Sequence, residues 1–397
     1  MYERAQRLSD TLIALRREIH RHPELSFQEE RTAQLIARRL AELGISARTG
    51  VAKTGVVADL GDDREAPCIA LRADMDALPI QEQNDVPYAS QVPGVMHACG
   101  HDVHVACVLG AAQLLAEEAA ASRLPGRVRL LFQPSEESQD DEALSGAMRM
   151  VDEGVMDGVD AVVGLHVWTD LPVGTVGLRA GTSTAYPDTF ELVIKGQEAH
   201  GAFPHRGHDA VTLAAQVINA LQTVVTRRLD PTRAKVLTVG TIHGGTKDNI
   251  MAGEVRMTGT IRTFEPEVRE ALFVEMEQAC SVARALGGDF DLEIIRGYLP
   301  VVNDPDLTEL VRRTASDLLG SEQVRESSLE MGGEDFSYFA REAPGSFFLI
   351  GGSTPGEPPR LHHHPEFDVD ERCLPLGAAL LAEIALRYLH DAGSEGR

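Results

Sequence analysis

The stretch from Thr189 to Leu299 decides the fold: TFELVIKG (189–196), DAVTLAAQVINALQTVVTRR (209–228), KVLTVGTIHGG (235–245), EVRMTGTIRTF (254–264), PEVREALFVEMEQACSVARALGG (266–288) and FDLEIIRGYL (290–299). β-Branched and apolar runs alternate here with two long helical patterns, reading strand, helix, strand, strand, helix, strand. That order is the ferredoxin-like α+β pattern.

On both sides of this stretch the chain reads differently. From Val56 to Val167, short apolar runs (VVADL, CIALRAD, RVRLLFQP, AVVGLHV) are separated by helical segments such as VHVACVLGAAQLLAEEAA. Strands spaced by helices imply an α/β sheet with helices on its faces. After residue 300 the alternation resumes with DPDLTELVRRTASDLLG, SFFLIGG and a last helix ending near Tyr388. One α/β domain interrupted by an inserted α+β domain accounts for this, with the first part at 1–183, the insert at 184–299 and the second part at 300–397. Three consecutive domains are the alternative.

The 397 residues exceed the size at which one core usually stops growing, which agrees with two domains. A formal charge of −24 repels phosphate backbones and anionic membranes, so neither nucleic acid nor a membrane surface is an expected partner. A substrate carboxylate would need a local Arg or metal charge. The five cysteines are odd in number and scattered, which is not a disulfide framework and suits a reducing cytoplasm. Residues 1–24 read as an amphipathic first helix without an apolar leader core, and no window reads as a membrane span.

Four segments place metal-binding side chains near strand ends of the α/β domain: MHACGHDVH (96–104), QPSEES (133–138), GLHVW (164–168) and LHHHPEFD (361–368). Gly100 lets the backbone bend so that Cys99 and His101 can converge, although a Cys is also a common buried hydrophobe and a His at a helix start a common cap. Glu136 and Glu137 leave a strand side by side and are expected to point in opposite directions, one toward a metal and one toward a water it can deprotonate. Two solvated acids in a loop are the plainer reading of such a pair. His166 ends an apolar run and needs a hydrogen-bond partner or a metal if buried. Histidines 362–364 precede Pro365 and do not by themselves say which one ligates. Together these residues favour a dinuclear site of S, N and O donors.

HRHPELSFQE, LRADMDALPIQE, MHACGHDVH, QPSEE, GLHVW, GQEAHGAFPH, MGGEDFSYF and HHPEFDVDE resemble, in this order and across essentially the whole chain, the amidohydrolases that include hippurate hydrolase, N-acyl-L-amino acid amidohydrolase and the plant indole-acetyl-amino acid hydrolases. These sit within a wider group of co-catalytic metallopeptidases. The resemblance implies a mixed-sheet catalytic domain carrying an inserted lid or dimerisation domain, and two divalent ions per subunit, zinc or else manganese, cobalt or nickel. It further implies that Cys99 bridges the ions, that His101 and Glu137 complete one shell, and that His166 and His363 complete the other. Glu136 is the implied general base and Asp76 an orienting residue, while Asp74 stands where the wider group has a ligand and keeps an open role.

In the insert, the resemblance gives His200 to the scissile carbonyl, and Asn249 and Arg262 to the substrate's free carboxylate; a surface His and a cross-strand Arg are the plainer readings. In some relatives the matching histidine reaches a neighbouring subunit, so a homodimer or higher oligomer is expected. The implied reaction is hydrolysis of an N-acyl amino acid of the N-acetyl or N-benzoyl type. A dipeptidase, a desuccinylase or a non-catalytic metal-binding protein is the alternative.

Overall fold

The runs that alternate on both sides of the insert come together in one eight-stranded mixed sheet, ordered Ala47–Val51, Gly55–Leu60, Arg127–Gln133, Cys68–Asp74, Ala161–Pro172, Gly345–Ser353, Val176–Leu178, Val324–Glu326. This is a computed structural model, and it describes every residue except 62, 64, 396 and 397. The central strands Arg127–Gln133, Cys68–Asp74, Ala161–Pro172 and Gly345–Ser353 run parallel to their neighbours in that series. All seven residues of Cys68–Asp74 are buried, as expected of a strand covered by helices on both faces.

Helices His101–Ala120 and Cys373–Glu395 pack on each other and against this sheet, contributing Val105, Leu109, Leu114, Leu380 and Ile384 to the main core. Being covered on nearly every side, they are apolar nearly all round. Each is long and apolar enough to cross a membrane, contrary to the expectation that no such window exists, yet 72% of either window is buried inside the fold. They are core helices. The amino terminus also departs from the single expected helix: Tyr2–Gln6 and Ser9–Arg21 are separated by a turn at Arg7 and Leu8.

The described chain forms two units, Met1–Ser183 with Val301–Ser328 and Asp335–Arg397, and Thr184–Pro300 with Leu329–Glu334. Leu329–Glu334 joins the second unit through a bridge between Thr184 and Glu330 and a hydrogen bond from the Ala185 N–H to the Gly332 carbonyl. The second unit holds a four-stranded antiparallel sheet in the order Asp289–Ile295, Tyr186–Lys195, Glu254–Thr263, Lys235–Gly244. With helices Ala210–Thr223 and Pro266–Cys280, this is the ferredoxin-like arrangement expected from the sequence. Burial alternates along Tyr186–Lys195, placing Phe190, Leu192 and Ile194 against Val217, Leu221 and Met276.

Candidate metal centre

Gly100 is the pivot of the site. It sits at φ +91° immediately before helix His101–Ala120, and a Cβ there would lie 2.4 Å from a Val167 methyl carbon, so both its conformation and its packing exclude other residues. The reversal aims Cys99 and His101 at one place. His101 is buried, and its Nδ1–H donates to Asp76 at 3.0 Å, which turns the Nε2 lone pair toward the site.

The paired glutamates arrive differently from the expectation. Strand Arg127–Gln133 ends at Pro134, and Ser135 then adopts φ +46°, so the alternation of a strand no longer applies. Glu136 and Glu137 therefore converge, each offering an oxygen within 4.8 Å of His101 and of the other. The Glu137 N–H donates to Asp76 at 3.0 Å, so Asp76 fixes both the His101 ring and the Glu137 backbone. Glu136 is 7% exposed, enough to reach a substrate while largely withdrawn from water.

His166, on strand Ala161–Pro172, donates through Nδ1 to the Val167 carbonyl at 2.7 Å, and its Nε2 accepts from the Cys99 thiol at 3.4 Å. The Val167 peptide is a hub. Its N–H donates to His104 Nε2 at 3.0 Å, His104 Nδ1 in turn meets Asp74 at 2.5 Å, and its carbonyl also accepts from His362 Nε2 at 3.0 Å. His362 stacks on Trp168 with centroids 4.7 Å apart. The histidine run thus divides its labour, with His362 packed against the strand and His363 at φ +58° placing Nε2 3.1 Å from Glu137.

Six sequence-singled residues, Cys99, His101, Glu136, Glu137, His166 and His363, are thereby brought together in the first unit. Cys99 is common to two tight groups, one with His101 and His166 and one with Glu137 and His363. Glu137 Oε1 stands 3.1 Å from His363 Nε2 and 4.0 Å from His101 Nε2, and a further group joins His101 with Glu136 and Glu137.

The donor set fits divalent cations. His101 Nε2 is buried without a hydrogen-bond partner, which costs free energy unless another species satisfies it, and the Glu137 carboxylate has His363 Nε2 beside it at 3.1 Å. Burial works to lower the His101 pKa, yet Asp74, Asp76 and Glu137 push it up to about 10. Burial and the charges of Glu137, Glu136 and Asp74 hold the Cys99 thiol well above its usual value. Burial, aided by His104 and His362, holds His166 neutral. Cations would relieve the accumulated negative charge and draw on thiolate, imidazole and carboxylate donors together.

The second unit's residues are arranged on their own terms. His200 is exposed and accepts from the Ala202 N–H through Nδ1 at 3.1 Å, leaving Nε2 as an outward donor. Asn249 is exposed, and its carbonyl accepts from Gly201. Arg262 is half-buried, with its guanidinium on the carbonyls of Met331, Asp188 and Ile261 and on the Thr260 hydroxyl. Among the described residues it has no ion pair, because the Asp188 carboxylate is engaged by Arg269. The expected cross-strand charge partner is absent there.

Beyond Asp76, sequence reading overlooked the support around the centre. Arg72, fully buried, donates to Gln133, Asp74 and Asp335, and so explains Asp74 as part of an internal network that orients His104. The available signal was a charged residue inside the apolar run CIALRAD, which a doubly covered strand tolerates only when paired.

The chain is similar to known proteins along nearly its whole length. Peptidase family M20/M25/M40 matches residues 70–387. An N-acetyl-L-cysteine deacetylase of Bacillus subtilis is 43% identical over 98% of this chain and 91% of its own length. A thermostable carboxypeptidase of Saccharolobus solfataricus is 39% identical over 96% of each chain. The crystal structure of a dinuclear metal-binding peptidase of the M20 family from Bacillus subtilis, 36% identical, superposes with a TM-score of 0.82 over 97% of this chain and 99% of that one.

Proposed function

The chain belongs to peptidase family M20/M25/M40, and from that premise we propose that it hydrolyses the amide bond of N-acyl amino acids with two divalent ions held by Cys99, His101, Glu137, His166 and His363. The observation that carries this reading is a nearly buried glutamate, Glu136, beside a converging set of thiol, imidazole and carboxylate donors in which the buried His101 Nε2 has no hydrogen-bond partner.

When bound, the ions supply Lewis acidity, polarising the acyl carbonyl and making water a stronger acid. Glu136 takes a proton from the water whose oxygen attacks the acyl carbon. It then delivers that proton to the nitrogen as the C–N bond breaks, so an amino acid and a carboxylic acid leave. Asp76 keeps His101 in the tautomer with a free Nε2, and the Val167 carbonyl does the same for His166. A thiolate among imidazoles suits zinc first, with manganese, cobalt and nickel as the other candidates.

Arg262, whose guanidinium meets only neutral oxygens among the described residues, is our candidate for the substrate's carboxylate, together with Asn249; His200, with its exposed ring, is our candidate for the developing oxyanion. These roles rest on the family resemblance. A homodimer is supported by strand Lys235–Gly244, a ten-residue sheet edge that exposes Ile242.

The relative named as a carboxypeptidase favours a second reading, cleavage of peptides. Metal-free protein reloaded with each ion in turn and offered N-acetyl amino acids, N-benzoyl amino acids and dipeptides separates the two. Release of amino acid chiefly from acylated substrates is expected. Preference for dipeptides selects the second reading, and full metal loading with no cleavage contradicts both.

A further inference from the structure

The loop that carries Glu136 lacks a helix or sheet ladder to hold it, and Ser135 just before it is left-handed at φ +46°. Such a residue costs about 1–3 kcal/mol and persists only where its surroundings over-determine it. The restraint on one side is Asp76, which accepts from the Glu137 N–H. On the other side the Ser135 N–H donates to Glu29 Oε1 at 2.9 Å. The residue before Glu136 and the residue after it thus each have their main-chain N–H tied to a different buried carboxylate.

Glu29 has no solvent exposure and belongs to none of the candidate metal groups. Its Oε1 also accepts from the Phe27 N–H at 2.9 Å, and its Oε2 accepts from the Thr54 hydroxyl at 2.5 Å. Phe27 stands at φ +60°, while Ala52 and Lys53, leading into Thr54, stand at +48° and +78°. One carboxylate thus fastens three segments distant in sequence, each containing a left-handed non-glycine residue. No basic side chain forms an ion pair with it among the described residues. Burial, then the charge of Asp76, push its carboxyl up to about 7. A group held at that cost is doing more than filling space.

We propose that Glu29 is a positioning residue for Glu136: through the Ser135 N–H it fixes the main chain from which the proton-carrying carboxylate projects, opposite the restraint supplied by Asp76. This rests on the reading of Glu136 as the proton carrier. Glu29 touches neither substrate nor ions; its effect passes through the angle at which Glu136 meets the attacking water, where a displacement of about 1 Å costs on the order of 100-fold in rate.

The test compares full-length, metal-loaded wild type with Glu29→Ala, Glu29→Gln, Thr54→Val and Glu136→Gln on one N-acetyl amino acid, measuring kcat, KM and bound metal. Glu29→Ala is expected to lower kcat by roughly 30- to 100-fold, with KM within about threefold and metal content unchanged. Glu29→Gln keeps an oxygen for the Ser135 N–H and is expected to recover most of that loss. Should Glu29→Ala fail to fold, Thr54→Val decides, with a severalfold fall in kcat at full metal content expected. Wild-type kcat in Glu29→Ala, or in Thr54→Val when it decides, overturns the inference. So does loss of metal in step with kcat that Glu29→Gln leaves unrepaired. Wild-type turnover in Glu136→Gln breaks the reading of Glu136 itself, whereas a silent Glu29→Ala beside a dead Glu136→Gln breaks only the role given to Glu29.

Discussion

His101 and Asp102 are neighbours at the start of one helix, yet they face two buried charge clusters of opposite character. Asp102 turns toward Arg16, which is wholly buried and donates to Asp102 at 2.7 Å, to Asp368 at 3.1 Å and to Glu371 at 3.3 Å. His20 adds a donor to the same Asp102 oxygen at 2.8 Å. Here the fold supplies its own cation. On the His101 side the carboxylates of Asp76, Glu136 and Glu137 gather with a thiol and three imidazoles, and the nearby Arg72 is spent on Asp74 and Asp335. Buried charge that serves the fold is matched by a built-in guanidinium; buried charge that serves chemistry is left for an exchangeable cation to match.

The largest effect that would break this contrast lies on the His101 side. His101→Ala is expected to lose bound metal and to lower hydrolysis on the order of 1000-fold, the several kcal/mol that Lewis acidity supplies. The melting temperature of the metal-free protein should move far less. Elemental analysis and thermal unfolding check both, and retention of metal with activity would contradict the assignment.

On the Asp102 side the expectation reverses. Arg16→Met leaves Asp102 buried without its cation and should cost about 3–5 kcal/mol in urea unfolding at neutral pH, with metal still bound. Burial alone would raise the Asp102 pKa, but Arg16 and His20 hold it well below the carboxylate range. A lowered acid contributes stability that is complete above the unfolded value, near ~3.9, and is lost as pH falls toward the folded value. Without Arg16, burial raises the Asp102 value in the variant, so the gap between wild type and Arg16→Met should narrow as pH falls from that raised value toward the lowered value of the wild type. A gap that is constant with pH would remove Asp102 from the account.

A smaller change tests the support between the clusters. Asp76→Asn preserves shape but weakens the hold on the His101 tautomer, and should reduce metal affinity by about 10- to 100-fold. Competition with a chelator measures it; unchanged affinity would mean that Asp76 serves only the Glu137 backbone.

The strand and helix order of the insert could be read from periodicity, because its sheet has one covered face and its residues alternate. The candidate metal-binding residues could be read from type and motif, since Cys99, His101, Glu137, His166 and His363 each carry chemistry that a plain core does not require. Their support was harder to see. Glu29, Arg72 and Asp335 act through tertiary contacts that span up to 263 residues; Arg72 is marked by its charge inside an apolar run, whereas Glu29 and Asp335 lie in polar segments where an acid is ordinary. The convergence of Glu136 and Glu137 depends on one left-handed residue, Ser135, whose type does not announce that conformation. Membrane-length apolar helices arose for a related reason: a helix covered on all sides looks the same as one in lipid until its neighbours are known.

The most direct test counts ions and turnover in Glu136→Gln beside wild type, by elemental analysis of protein at equal metal exposure and by release of amino acid from an N-acetyl substrate. Two ions per chain are expected in both proteins, with turnover reduced by about 100- to 10,000-fold in the variant. Loss of an ion from the variant, or undiminished turnover with both ions in place, would contradict the claim that Glu136 carries the proton beside a pair of cations held by its neighbours.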